Sequence, residues 1–195
     1  MSREAHVQFC ESLGVRFPGA THLVICCRSQ AEEALATMRN MMSKLKLTVN
    51  DTKTRVCKLP EEKFDFLGYT FGRCYSAKTG RAYLGTTPSK KRVQRICDAI
   101  SQETGRNKTL LTQDTVITTL NRMMTGWANY FCLGPVSQAY RAIERHARRR
   151  LRQWLCAKHK LRWPATKWYP EAALHQQLGL VQLSTRTTSL PWATS

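Results

Sequence analysis

The side chains in this sequence best suited to chemistry are cations. Arg141, Arg145, Arg148, Arg149 and Arg152 follow one another at short, mostly helical intervals, and Arg150 lies among them. On a helix, residues three or four apart are neighbours, so these guanidiniums project from one rigid rod. Each planar fork can donate two parallel hydrogen bonds to a phosphate. A helix of about 20 residues spans about 30 Å, enough to follow several phosphates of a folded nucleic acid. Lys90, Lys91, Arg92 and Arg95 form a second cluster, and Lys158, Lys160, Arg162 and Lys167 extend the charge past the first. Between Val136 and Lys158 the only acid is Glu144. A merely solvated helix mixes signs to gain from pairs four residues apart, and this one does not.

The whole chain of 195 residues carries a net charge of +18, unevenly divided. Residues 1–85 hold 13 Lys/Arg against 8 Asp/Glu, whereas residues 86–195 hold 18 against 5. Such an excess on a small domain repels itself unless a polyanion neutralises it. Charge points to nucleic acid but does not separate RNA from DNA.

Other chemistries find less support. Of the eight cysteines, none forms a C-x-x-C pair, and no histidine stands at zinc-finger spacing from a cysteine pair. They read as buried free thiols in a reducing cytoplasm, and no metal site is expected. No apolar run is long enough to cross a bilayer, so no membrane partner is expected. The opening MSREAHVQFCESLG lacks the basic start and apolar stretch of a secretory signal.

The elements that position the cations follow from periodicity. Residues 1–18 show no clear pattern, and Pro18-Gly19 marks a turn. Leu23–Cys27 suits a buried strand. Ser29 is placed to cap an amphipathic helix with Glu32 and Glu33 in its first turn and Ala34, Leu35, Met38, Met41, Met42 and Leu45 on one side. Leu47–Val49 and Thr54–Cys57 read as short strands around an Asn50-Asp51 turn. Phe64–Phe71 reads as one strand whose aromatic phase shifts at Gly68, suggesting a bulge or a close backbone approach. Ala77–Gly80 is a hairpin turn returning through Ala82–Leu84. After Gly85 the period becomes 3.6 residues. Three helices are predicted, the first opened by Pro88-Ser89, the second capped by Thr112, and the third running from Val136 to Lys158. Their apolar stripes make a small bundle. The fold class is α+β: short antiparallel strands plus one helix over residues 1–85, a three-helix bundle over 86–160, and an aromatic basic tail over 161–195.

Leu120-Asn121-Arg122-Met123-Met124-Thr125-Gly126-Trp127-Ala128-Asn129-Tyr130-Phe131 resembles the L-N-x-x-x-x-G-W-x-x-Y-F motif of the group II intron maturase-specific domain. Arg148–Leu155 is similar to the R-R-x-L-R-x-W segment that follows in that family. Upstream, Phe64–Tyr69 resembles the F-x-F-L-G-[FY] segment of group II intron reverse transcriptases, part of their primer grip. Leu47–Thr54 resembles their L-x-L-N-x-x-K-T segment. The resemblance runs from about residue 14 to the end, over the late palm, thumb and maturase domain of such proteins. It implies a truncated palm, a thumb/maturase bundle and structured intron RNA as the partner, with a DNA target as a further one. RNA contact is then expected from Lys90, Lys91, Arg92, Arg95, Arg122, Asn129, Tyr130, Arg141, Arg145, Arg148, Arg149, Arg150 and Arg152. Gly126 and Trp127 are read as packing, the glycine letting a neighbouring helix approach.

One departure matters. Where the family has Y-A-D-D, with two aspartates that hold Mg²⁺, this sequence has Gly19-Ala20-Thr21-His22. Thr21 offers only a neutral hydroxyl, and His22 is a poor ligand for a hard cation. Asp51, Asp65 and Asp98 do not pair on one strand to replace them. The donor set does not fit the ion, so no catalytic residue and no cofactor are expected; Mg²⁺ would enter only with an intact polymerase site supplied by another chain. The expectation is therefore an RNA-binding maturase-type module assisting intron folding and splicing. The alternatives are a reverse transcriptase piece active only with a separate N-terminal chain, and a non-functional relic of a mobile element.

Overall fold

The computed structural model describes residues 5–11, 22–27, 30–76, 79–162 and 164–189; for 5–11, 22, 53, 188 and 189 it describes the backbone alone. The α+β class holds. Two compact units divide the chain, one formed by Met1–Phe66, Phe71–Ser76 and Arg81–Gly85, the other by Leu67–Thr70, Ala77–Gly80 and Thr86–Ser195.

The first unit contains β1 (Ala5–Glu11), β2 (His22–Cys27), α1 (Ala31–Lys44) and β3 (Thr54–Leu59). These strands form an antiparallel sheet in the order β2-β1-β3, with Val7 opposite both Cys26 and Cys57. The strand β1 went unread in the sequence, although Ala5, Val7 and Phe9 alternate with His6 and Gln8. The expected cap at Ser29 lies outside the described residues; α1 begins after Gln30, which sits at φ 61° and makes no side-chain cap. Of the helix's apolar stripe Met38 is buried, whereas Met41 and Leu45 are exposed. The expected strand at Leu47–Val49 reduces to a single bridge at Val49, followed by a 3-10 turn over Asp51–Lys53.

A second sheet has the order β4-β5-β6, from Phe64–Phe66, Tyr69–Tyr75 and Ala82–Pro88. The single strand expected over Phe64–Phe71 is thus a hairpin. Leu67 (φ 49°) and Gly68 (φ 86°) both sit in the left-handed region, the conformation that two-residue hairpin turns demand. The close approach expected at Gly68 is also present. A Cβ there would lie 2.9 Å from Arg92 Nε and 3.1 Å from the Phe131 ring. Across the Ala77–Gly80 turn, of which Ala77 and Lys78 lie outside the described residues, the Ser76 N–H donates to the Arg81 carbonyl at 2.9 Å.

The second unit is built on α2 (Lys90–Glu103), α3 (Gln113–Tyr130) and α4 (Ser137–Lys158). Ser89 caps α2 by accepting from the Arg92 N–H, and Thr112 caps α3 by accepting from the Thr115 N–H. Ile96, Ile100, Val116, Leu120, Met124, Tyr140, Ile143, Ala147, Leu151 and Trp154 bury the predicted stripes in one core. The same core holds Leu174, Leu180 and Leu183 from the segment after α5 (Ala165–Trp168). Polar contacts fasten that segment to the bundle. The Asn121 amide donates to the Gly179 carbonyl and accepts from the Val181 N–H, each at 2.8 Å. Glu144, 4% exposed, accepts from the Ser184 N–H at 2.6 Å.

Candidate nucleic-acid interface

The amphipathic register of α4 decides which of its arginines can meet a partner. Its buried face runs through Tyr140, Ile143, Ala147, Leu151 and Trp154. Arg141, Arg145 and Arg149 recur every four residues on the exposed side. At 1.5 Å per residue they mark out a cationic row about 12 Å long. The only acid of the helix, Glu144, is turned inward and holds Ser184, so no carboxylate interrupts that row. Arg141 also donates to the Ser137 carbonyl one turn back.

The remaining α4 arginines are committed inside the protein. Arg150 donates through Nε to Thr104 Oγ1, through Nη1 to Gln153 Oε1, and through Nη2 to the Ser101 and Thr104 carbonyls. It clamps α4 to the end of α2. Arg148 pairs with Glu171. Arg152 donates to the Tyr169 carbonyl at 2.8 Å, and burial together with the Arg148 charge lowers its pKa. Sequence spacing alone did not separate these roles. Residues 148 to 152 cover more than one full turn and therefore face several ways.

On α2, Lys90, Lys91, Arg92 and Arg95 are all exposed. On α3, Arg122, Gly126, Asn129 and Tyr130 recur at steps of four, three and one along the exposed side. The Asn129 Oδ1 accepts from Arg186 at 2.6 Å. Tyr130 keeps 55% of its surface exposed while its hydroxyl donates to the Leu67 carbonyl at 3.0 Å. Its ring edge meets Phe131 and stacks beside Tyr69 at 6.2 Å. Burial raises the Tyr69 pKa, and its hydroxyl donates to the Tyr130 carbonyl at 2.7 Å. Tyr130 is thus a held, half-exposed ring of the kind on which an unpaired base can stack.

Gly126 overturns its sequence reading. It was expected to admit a neighbouring helix, yet among the described residues a Cβ at Gly126 would meet nothing within 4 Å. The glycine stands on open surface in the middle of α3. Trp127 does pack, 4.4 Å from Phe131 and edge-on to Tyr140. Asn121 carried a motif match in the sequence, but its role as a clamp on Gly179 and Val181 had no local signal.

Of the departure at Gly19–His22, positions 19–21 lie outside the described residues, and His22 opens β2 with only its backbone described. Among the described residues no cluster of three or more His, Cys, Asp or Glu side chains is placed to hold a metal. No helix among them is long and apolar enough to cross a membrane.

No curated protein matches the chain. Residues 93–169 match the family model of the group II intron maturase-specific domain, which takes in most of α2, all of α3 and α4, and α5. Residues 93–169, with the motif at Leu120–Phe131 on α3 and the basic segment at Arg148–Leu155 on α4, are thus similar to the maturase-specific domain of group II intron proteins.

Proposed function

We propose that the chain binds structured group II intron RNA and favours its splicing-competent fold, working in the cytoplasm without polymerase activity of its own. The observation that carries this reading is the exposed row Arg141, Arg145 and Arg149, from which the one acid of α4 is withdrawn. Arg122, Lys90, Lys91 and Arg95 add exposed cations on the other two helices. Phosphate contacts of this kind give affinity and orientation, and the half-exposed Tyr130 adds a stacking surface.

Gly126 supports the same surface. A glycine in a helix interior costs about 0.5–1 kcal/mol relative to alanine. No packing among the described residues accounts for it, whereas the close approach of a nucleic-acid backbone would. In this reading the RNA carries out the chemistry of splicing, and the protein stabilises its fold.

The test is RNA binding as a function of salt. For the chain with folded intron RNA, log Kd should vary with log salt with a slope of about 0.7–0.9 per phosphate neutralised. Replacing Arg141, Arg145 and Arg149 by Ala should weaken binding and lower that slope by roughly 2 to 3. Unchanged affinity and slope would remove the α4 row from the account. Primer extension on an RNA template with Mg²⁺ checks the polymerase statement, and incorporation above background would overturn it.

A further inference from the structure

A concavity of about 900 Å³ opens beside the C-terminal end of α4, within the second unit. Its volume falls in the range of about 300–1,000 Å³ typical of small-ligand sites. Among the described residues three cations line it, Arg106, Arg150 and Lys160, and no Asp or Glu does. The nearby Glu103 is occupied by Lys108 at 2.7 Å. Apolar surface from Ala157 and Leu161 completes the lining.

We infer that this concavity is a phosphate-binding subsite, which takes a nucleotide splayed out of folded RNA. The inference rests on the RNA-binding reading and joins Arg150 of the α4 motif to Arg106 and Lys160, which lie outside both helix motifs. Arg150 is the fixed element. Four neutral acceptors hold its guanidinium, and none of them is an acid. A guanidinium has five N–H donors, so one on Nη1 remains beyond these four bonds. The charge is therefore oriented in advance, with its compensation left to an incoming anion.

Lys160 is the second element. It occupies the first position past the α4 cap at φ 53°, and the Leu161 N–H reaches back to the Cys156 carbonyl at 2.9 Å. This is the helix ending in which glycine is usual, because a side chain strains the left-handed backbone. Here a lysine takes that strain at the edge of the cavity, and the strained position is occupied by a charge. Arg106 comes from the turn after α2 and is exposed. The following loop is braced by Lys158, whose Nζ donates to the Thr109 and Leu111 carbonyls at 2.9 and 2.7 Å. Arg106, Arg150 and Lys160 thus line one concavity, brought together from the turn after α2, from α4 and from its C-terminal ending.

The experiment uses the full chain with Arg106→Ala and Lys160→Gly together. Glycine adopts the Lys160 backbone without strain and Arg106 is exposed, so the pair preserves the fold. Anisotropy titrations with a transcribed, folded group II intron RNA are run at several salt concentrations, beside an Arg145→Ala/Arg149→Ala variant. The expected result is a loss of roughly tenfold or more in affinity for the cavity pair, with a salt slope lower by about 0.7–1.8. Unchanged RNA binding by the cavity pair, with weakened binding by the α4 pair, overturns the subsite and leaves the RNA reading standing. If neither pair alters binding, both fall. Calorimetry with adenosine 5′-monophosphate and with inorganic phosphate separates the sources of the anion. Micromolar binding of either, lost in the cavity pair while RNA binding is unchanged, would make this a free-nucleotide or phosphate site and overturn the RNA assignment.

Discussion

Leu183 and Leu110 offer the same chemical change in opposite surroundings. Leu183 is 0% exposed and belongs to the core of the helical unit, whereas Leu110 is 95% exposed in the loop before α3. Leu183→Ala removes buried methyl groups and leaves a cavity between the C-terminal segment and the bundle. Such changes cost roughly 2–5 kcal/mol, against a total stability of about 5–15 kcal/mol for a domain. At about 4 °C per kcal/mol for a unit of this size, the melting temperature should fall by roughly 8–20 °C. Leu110→Ala should stay within about 0.5 kcal/mol of the unaltered protein. Thermal unfolding followed by helical circular dichroism reads both. A difference of less than about 3 °C between the two variants would mean that Leu183 is not packed in the core, and would refute the integral role given to the segment after α5.

Glu144→Ala strips the part-buried Ser184 N–H of its acceptor and should cost about 1–3 kcal/mol in urea unfolding, with faster tryptic cleavage at Arg186. Glu144→Gln keeps an acceptor oxygen and should cost less; equal losses would show that the hydrogen bond is not the cause. Burial raises the Tyr140 phenol to about 12, and its hydroxyl donates to the Ala128 and Phe131 carbonyls. A folded-state pKa above the unfolded value of about 10 gives stability that is complete below pH 10 and lost as pH rises towards 12. Tyr140→Phe should therefore be less stable at neutral pH and show a flatter decline over that alkaline range; parallel curves would contradict the assignment. Gly126→Ala should stabilise the free protein by about 0.5–1 kcal/mol while weakening RNA binding, and a gain in both would exclude close approach of RNA at that position.

The helical unit was largely legible in the sequence because its signals are local. Ser89 and Thr112 cap helices as their types and positions predict. The apolar stripe of the third helix, with Val136, Tyr140, Ile143, Ala147, Leu151 and Trp154 spaced three or four apart, is buried throughout. Turn geometry was harder to read. Leu67 in a left-handed conformation has no signature in a leucine, so one broken strand was read where a hairpin lies. The cations were legible as a set but not individually. Whether an arginine meets solvent or a carbonyl depends on partners far away in sequence, such as Thr104 for Arg150 and Tyr169 for Arg152. The cavity combines Arg106 with Lys160 across more than fifty residues of chain, and no periodicity announces such a pairing. The docking of Leu174, Leu180 and Leu183 was equally hidden, because a short apolar stretch does not say what it packs against.

Tyr69 and Tyr130 each bond the backbone beside the other: the Tyr69 hydroxyl reaches the Tyr130 carbonyl, and the Tyr130 hydroxyl reaches the Leu67 carbonyl. Tyr69 also packs 5.1 Å from Phe131. The helical region is therefore not a portable piece that starts where the helices start. Excised at Thr86, it would leave the Phe131 ring short of a wall and the Tyr130 ring without its anchor, as if a keystone had been left with the discarded stones. A transplant that begins before Leu67 would keep the latch closed, and the difference between two such grafts would measure how far a motif's boundary in sequence departs from its boundary in space.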